Sequence, residues 1–269
     1  MRLAQIQMAV TADKAENLRR AETLLASVKG ADMAVLPEMF CCPYDNGCFR
    51  AYGEAEGGAA YQMLSRAAVE NRLWVAGGSL PELDGGRVYN TSYVFAPDGR
   101  CAARHRKMHL FDIDVDGGQR FRESDTLTAG DDVTVFDTPW GKMGLCICFD
   151  LRFQELSRLM TLAEAQVLLV PAAFNMTTGP AHWELLFRQR AVDNQLFTVG
   201  VSPARDEAAS YVAWGHSIVC DPWGAVLHQC GAGEEVAVTE LDMAQVSAVR
   251  RQLPILSARR TDIYEIRKK

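Results

Sequence analysis

Three predicted strands of this chain end at residues able to take part in covalent chemistry: Glu38, Lys107 and Cys148. In α/β sheets, reactive groups gather beyond the strand ends, so three such deliveries can converge on one site. Cys148 follows the apolar run Met143–Ile147 and precedes a helix expected to be capped by Asp150. A thiol at a helix N-terminus has a lowered pKa, so this position predicts a thiolate. The competing reading is a buried, inert cysteine, which describes most free cysteines. Cys146, inside the same strand, fits that reading better. Lys107 sits in the run Arg104-His105-Arg106-Lys107-Met108-His109 and would be one more solvated charge there, except that Met108, Leu110 and Phe111 show the chain entering a packed region. A lysine in such a place needs a carboxylate partner. Glu38 follows Val35-Leu36-Pro37, where solvent is limited unless the residue simply caps a strand at the surface.

Together the three residues match the needs of amide hydrolysis. That reaction uses a nucleophile, a base that later protonates the departing ammonia and then activates water, and a cation to hold the oxyanion. Cys148, Glu38 and Lys107 can fill these roles in that order, and the backbone N–H of Phe149 is a second oxyanion donor. No metal or other cofactor is required. A Cys/His hydrolase with His109, His182 or His216 as base is the rival arrangement, but spacing singles out none of the five histidines.

The elements that must position these groups are read from periodicity. Leu3–Val10 alternates as a strand, with Ile6, Met8 and Val10 on one face and Gln5 and Gln7 on the other. Asp13 caps a helix carrying Leu18, Ala21, Leu25 and Val28, and Gly30 stops it. Met33–Leu36 is a short buried strand cut off by Pro37; a helix over Ala59–Asn71 and a strand over Leu73–Leu80 follow. Val88–Ala96 and Arg100–Met108 flank the turn Pro97-Asp98-Gly99 as a hairpin. Leu110–Asp132, which contains Glu123, shows no period, and loops of that length tend to be functional. Strands are expected at Val133–Asp137, Lys142–Cys148, Val167–Val170, Phe197–Val201, Ser217–Cys220, Ala225–His228 and Val236–Leu241. Helices are expected from Asp150, up to about Asn194, and over Met243–Leu253. Helices and strands intermix with no linker, which predicts one α/β domain over residues 1–269.

Charge and cysteine usage narrow the class. Lys plus Arg is 28 against 34 Asp plus Glu, a net charge of −6, which disfavours nucleic acid or an anionic membrane as partner. No apolar run approaches the roughly 18 residues that span a bilayer. The eight cysteines are sparse and irregular, with no Cys-x-x-Cys and no zinc-finger histidine spacing. A cytoplasmic protein with reduced thiols is expected.

The pattern resembles the nitrilase (carbon-nitrogen hydrolase) superfamily, with its Glu/Lys/Cys triad. The carrying motifs are Leu36-Pro37-Glu38, Arg106-Lys107-Met108-His109-Leu110-Phe111-Asp112 and Gly144-Leu145-Cys146-Ile147-Cys148-Phe149-Asp150-Leu151-Arg152-Phe153. Phe121-Arg122-Glu123-Ser124, the segment Phe174 to Trp183, Ser202-Pro203-Ala204-Arg205-Asp206 and Tyr211 to His216 are most similar to the ω-amidase branch. The likeness covers nearly the whole chain. It implies an α-β-β-α sandwich and a homodimer, with Cys148 as nucleophile, Glu38 as base, Lys107 at the oxyanion and Glu123 orienting Lys107. It further implies a small dicarboxylic acid monoamide as substrate, of the α-ketoglutaramate or α-ketosuccinamate type. The far carboxylate of such a substrate needs a cation, which Arg152 can supply in bidentate form unless it is only a surface ion-pair residue. Tyr44, His109 and Thr178 are the matching neighbours, and Phe174 would wall the pocket. Nitrile or N-carbamoyl hydrolysis on the same triad, and a non-enzymatic binding protein or thiol sensor, are the alternatives. Two departures stand out: Cys41-Cys42 where the branch more often has Asn-Ser, and Cys146 where it has glycine.

Overall fold

The computed structural model describes residues 1–269, and its first strand already sets the plan. β1 (Arg2–Gln7) is hidden on both faces: Ala4 and Ile6 pack beneath helices, while Leu3 joins an apolar layer shared with a second sheet. The face that carries the glutamines is therefore buried as well. Gln5 and Gln7 are fully buried, and their amides donate to the carbonyls of Gly200 and Gly231. A strand covered on both sides requires layers on both sides.

The remaining strands of the first sheet are β2 (Met33–Val35), β3 (Trp74–Ala76), β4 (Leu80–Asp84), β5 (Arg87–Phe95) and β6 (Cys101–Arg106), closed at the far edge by a late strand near the C-terminus. The expected strand Leu73–Leu80 is broken in two at Gly77-Gly78, where the chain turns from β3 into β4. A short hairpin, β7 (Asp112–Asp114) and β8 (Arg120–Arg122), followed by a 3₁₀ turn at Glu123–Asp125, replaces the structureless loop expected over Leu110–Asp132. Three-residue strands are too short for periodicity to register.

The second sheet holds β9 (Thr134–Thr138), β10 (Gly141–Leu145), β11 (Ala165–Pro171), β12 (Phe197–Val201), β13 (Ile218–Cys220) and β14 (Val226–Gln229), in the spatial order 14-13-12-11-10-9. β15 (Glu235–Glu240) then returns to the first sheet, whose order is 15-1-2-3-5-4 with β6 on β5. Helices α1 (Lys14–Ser27) and α3 (Ala59–Asn71) cover the first sheet through Leu25, Met63 and Leu64; α2 (Asn46–Tyr52) lies between them in sequence. Helices α4 (Gln154–Leu162) and α5 (Gly179–Asn194) cover the second through Leu156, Met160, Trp183 and Phe187. Between the sheets, Met33, Val35, Met143, Leu145, Val167, Leu169 and Val199 interdigitate. The final helix, α6 (Ala244–Gln252), inserts Val246 into that same layer. The expected α-β-β-α sandwich is what the chain adopts.

Candidate active site

β2, β6 and β10 deliver Glu38, Lys107 and Cys148 to one buried place. Glu38 and Lys107 are completely buried and Cys148 is 3% exposed. Lys107 Nζ donates to Glu38 Oε1 at 2.9 Å, to Glu123 Oε1 at 3.0 Å and to the Tyr44 hydroxyl at 3.3 Å. Burying an ammonium costs several kcal/mol unless carboxylates compensate it, and here two do. Burial alone would lower the Lys107 pKa, but Glu123 and Glu38 outweigh it and hold the group well above its ordinary value.

Glu123 is locked in turn: Tyr44 donates to its Oε1 at 2.6 Å and the Phe111 N–H to its Oε2 at 2.6 Å. Glu38 is held asymmetrically. Asn90 Nδ2 donates to Oε1 at 2.8 Å alongside Lys107, whereas Oε2 is buried with no hydrogen-bond partner. Burial pushes the Glu38 carboxyl above the ordinary range, with Lys107 pulling the other way and Glu123 adding to the rise. A carboxylate with one anchored and one uncommitted oxygen is built to accept a proton at the second.

The backbone around Glu38 is pinned by the β3–β4 turn. Gly78 has φ +58°, and a Cβ there would lie 2.1 Å from the Pro37 carbonyl oxygen, so only glycine fits against the Leu36-Pro37 segment. Ser79 completes the clasp: its N–H donates to the Pro37 carbonyl at 3.2 Å and its hydroxyl accepts the Met39 N–H at 3.0 Å.

Cys148 opens a 3₁₀ turn, Cys148–Arg152, and has φ +48°. A non-glycine residue in the left-handed region carries roughly 1–2 kcal/mol of strain and persists only where its surroundings enforce it. Asp150 supplies the enforcement. It accepts from the Ile147 N–H (3.0 Å), the His109 N–H (2.9 Å), His109 Nδ1 (2.7 Å) and His105 Nε2 (3.0 Å). Asp150 thereby ties both flanks of Lys107 to the turn that presents Cys148. It does not cap a helix starting there; α4 begins only at Gln154.

The helix-dipole argument for a thiolate at Cys148 loses its footing for the same reason. A five-residue 3₁₀ turn has little dipole to offer. Burial and the negative charge of Glu38 push the Cys148 thiol well above its usual pKa, and Lys107 offsets only part of that. Both effects act against ionisation of the thiol. The Phe149 N–H lies in the first turn, where no intrahelical acceptor exists, as the oxyanion reading requires.

Among the expected substrate neighbours, Arg152 is half-buried, with its guanidinium 4.8 Å above the Phe174 ring and 5.7 Å from that of Phe149. Its one side-chain hydrogen bond goes to His182 Nδ1 at 3.2 Å, and no carboxylate pairs with it. Desolvation pulls its pKa below the usual guanidinium value. Phe174 is buried against Trp183. Tyr44 belongs to the charged cluster through its hydroxyl and also lines the adjoining cavity. The hydroxyl of Thr178 is 3.0 Å from Asn175 Oδ1, to which it donates, and the His109 ring is committed to Asp150 and stacked on Phe153 at 3.7 Å.

A cavity of about 80 Å³ opens beside Glu38, lined among others by Cys42, Tyr44, Ala173 and Tyr211. The two adjacent cysteines diverge: Cys42 faces this cavity, whereas Cys41 packs into the core under the first sheet's helices. Tyr211, whose hydroxyl donates to the Ala173 carbonyl at 2.5 Å and whose ring lies 4.5 Å from Tyr44, had no role assigned from the sequence, nor had Asn90 and His105. Asn90 had a signal, since it is a polar residue inside an otherwise strand-forming run. Tyr211 opens one of the motifs that carry the family likeness, but its irregular segment gives no spacing from which a place in the site could be read.

The carbon-nitrogen hydrolase family profile matches residues 2–251. The ω-amidase NIT2 of Danio rerio is 51% identical over 267 residues, covering 98% of this chain and 96% of its own. The Homo sapiens ω-amidase NIT2 is 47% identical over 270 residues, covering 100% and 98%. Nit3 of Saccharomyces cerevisiae, from branch 10 of the nitrilase superfamily, superposes with a TM-score of 0.89 at 39% identity over 97% of this chain and 96% of that one. A buried Glu/Lys/Cys cluster on a four-layer sandwich, matched along its whole length by such relatives, makes this chain a member of the carbon-nitrogen hydrolase family within the nitrilase superfamily.

Proposed function

We propose that the protein is an ω-amidase, hydrolysing the terminal amide of a small dicarboxylic acid monoamide of the α-ketoglutaramate or α-ketosuccinamate type through a thioester on Cys148. The observation that carries the substrate class is Arg152, a half-buried guanidinium with no carboxylate of its own, stacked on Phe174 near the thiol. The ω-amidase relatives at about half identity support the same reading.

In this mechanism Arg152 binds the far carboxylate and the amide carbon comes to rest against Cys148. Glu38 Oε2 takes the thiol proton as sulfur adds to the carbonyl. The resulting oxyanion is held by the Phe149 N–H and by Lys107 Nζ, which turns the hydrogen of its long 3.3 Å contact to Tyr44 towards it. Protonated Glu38 then gives its proton to the departing nitrogen, and ammonia leaves. A water molecule enters, Glu38 removes its proton, and the thioester is cleaved to the acid with Cys148 reprotonated. Glu123 and Tyr44 act through Lys107, keeping its ammonium in place.

Exposed apolar side chains on α5 and near β14, including Leu185 and Trp223, both 61% exposed, support pairing of two copies through this helical face. No helix is long and apolar enough to cross a membrane. The deciding experiment compares ammonia release from α-ketoglutaramate, a simple nitrile and an N-carbamoyl amino acid. Strong preference for the first is expected; turnover confined to either of the others would move the assignment to another chemistry on the same triad.

A further inference from the structure

Away from the catalytic cluster, a second group of reactive side chains converges where the two sheets meet. His228 lies in β14, Cys230 directly after it, and Glu235 opens β15. β14 is an edge strand of the six-stranded sheet and β15 an edge strand of the other, so the crossing segment 231–234 folds residues of two sheets onto one another. His228 Nε2 is 3.7 Å from Cys230 Sγ and 3.4 Å from Glu235 Oε1, and the three donor atoms all lie within 4.8 Å of one another. A tetrahedral zinc ion, with sulfur at about 2.3 Å and nitrogen or oxygen at about 2.0–2.2 Å, holds its ligand atoms roughly 3.3–3.7 Å apart.

We propose that His228, Cys230 and Glu235 form a three-ligand site for a borderline-soft divalent cation, best suited to zinc, with water as the fourth ligand. The donor set of thiolate, imidazole and carboxylate favours zinc over the hard cations magnesium and calcium, which take oxygen ligands alone. Binding converts the Cys230 thiol to thiolate with loss of its proton to solvent, and the two anionic ligands neutralise the ion.

The site is already organised. The Gly231 N–H donates to Glu235 Oε2 at 2.9 Å, leaving Oε1 aimed at His228. The backbone of Cys230 is fixed on both sides: its N–H donates to the Ser217 carbonyl at 2.8 Å, and its carbonyl lies 3.1 Å from His216 Nδ1. Such outer contacts orient metal ligands and are worth 10–100-fold in affinity. Cys230 is 2% exposed while His228 and Glu235 are half-exposed, so an ion can enter from solvent and finish against sulfur. The cluster shares no residue with the Glu38, Lys107 and Cys148 site, and its place between two sheet edges gives it a stapling role rather than a part in turnover.

The test uses the full-length Cys148→Ala protein, so that the catalytic thiol cannot compete. Cobalt(II) added to the metal-stripped protein should bind at one equivalent, with a thiolate-to-cobalt charge-transfer band that zinc(II) displaces. The thermal midpoint should rise with zinc concentration. Adding Cys230→Ser should abolish the band and the zinc-dependent rise, and adding His228→Gln or Glu235→Gln should weaken cobalt binding at least tenfold. No charge-transfer band at one equivalent overturns the proposal, and so does a band that survives Cys230→Ser. Should Cys230→Ser not fold, the His228→Gln and Glu235→Gln proteins decide, and undiminished cobalt affinity in both overturns it equally.

Discussion

Replacing Arg152 by alanine tests the substrate assignment most directly. The guanidinium is half-buried, held over Phe174 at 4.8 Å and near Phe149 at 5.7 Å, and its single side-chain hydrogen bond goes to His182. A substrate carboxylate docked there would gain a bidentate pair, each charge-assisted bond contributing about 1.5–3 kcal/mol before desolvation. Taking about 3 kcal/mol for the pair after the carboxylate loses its water, Arg152→Ala should lower kcat/KM for α-ketoglutaramate by roughly 150-fold. An uncharged linear amide of the same length makes no use of the guanidinium and should lose less than about threefold. Arg152→Lys keeps the charge but loses the planar fork and the aromatic stacking, so an intermediate loss of about tenfold is expected. Steady-state ammonia release on both amides gives the answer. Equal losses on the charged and the neutral amide would refute the reasoning, because the residue would then be shaping the site rather than reading a carboxylate.

Three further outcomes are expected. Wild-type protein quenched during turnover should carry an acyl group on Cys148, located by peptide mass spectrometry; an adduct on Cys146 or Cys42 instead would dismantle the proposed mechanism. Because burial raises the Glu38 carboxyl and the base must be ionised, kcat/KM should fall as pH drops through a value above the ordinary carboxylate range of about 4.3. With Cys148 neutral and Lys107 charged into the alkaline range, neither should impose a decline below the ordinary thiol pKa, and an acid limb at or beneath about 4 contradicts the account. Asp150→Ala should destabilise the fold by about 3–5 kcal/mol in urea unfolding, since it strands four buried or half-buried donors, and a loss under about 1 kcal/mol would show that Asp150 is not the tie described. The hydrogen bonds from His105 and His109 outweigh burial and hold Asp150 below the usual aspartate range. Its contribution to stability is thus complete above about pH 4 and lost as pH falls towards its folded value.

Much of the site could be read from the chain because its information is local. Glu38, Lys107 and Cys148 each follow a run whose composition and breakers mark a strand end, and strand ends are where an α/β sandwich collects reactive groups. The layer order, by contrast, was an implication of the family likeness and not of composition or period, and the burial of Gln5 and Gln7 between the sheets is what shows β1 covered on both faces. The short elements β7 and β8 and the break at Gly77-Gly78 carry too few residues to show a period.

What the amino-acid order determined, then, was which residue types stand at the strand ends and how the elements follow one another. Tertiary structure alone decided their chemical state. A thiol's protonation depends on the total field of groups remote in sequence, so a helix-terminus argument predicted a lowered pKa at Cys148 where burial and the nearby Glu38 charge push it the other way. The same holds for Asp150, whose partners are 41 and 45 as well as three residues away, and for Glu235, which meets His228 and Cys230 because edge strands of two different sheets come together. Periodicity reports how a segment is buried; it carries no information about which distant charge lies opposite it.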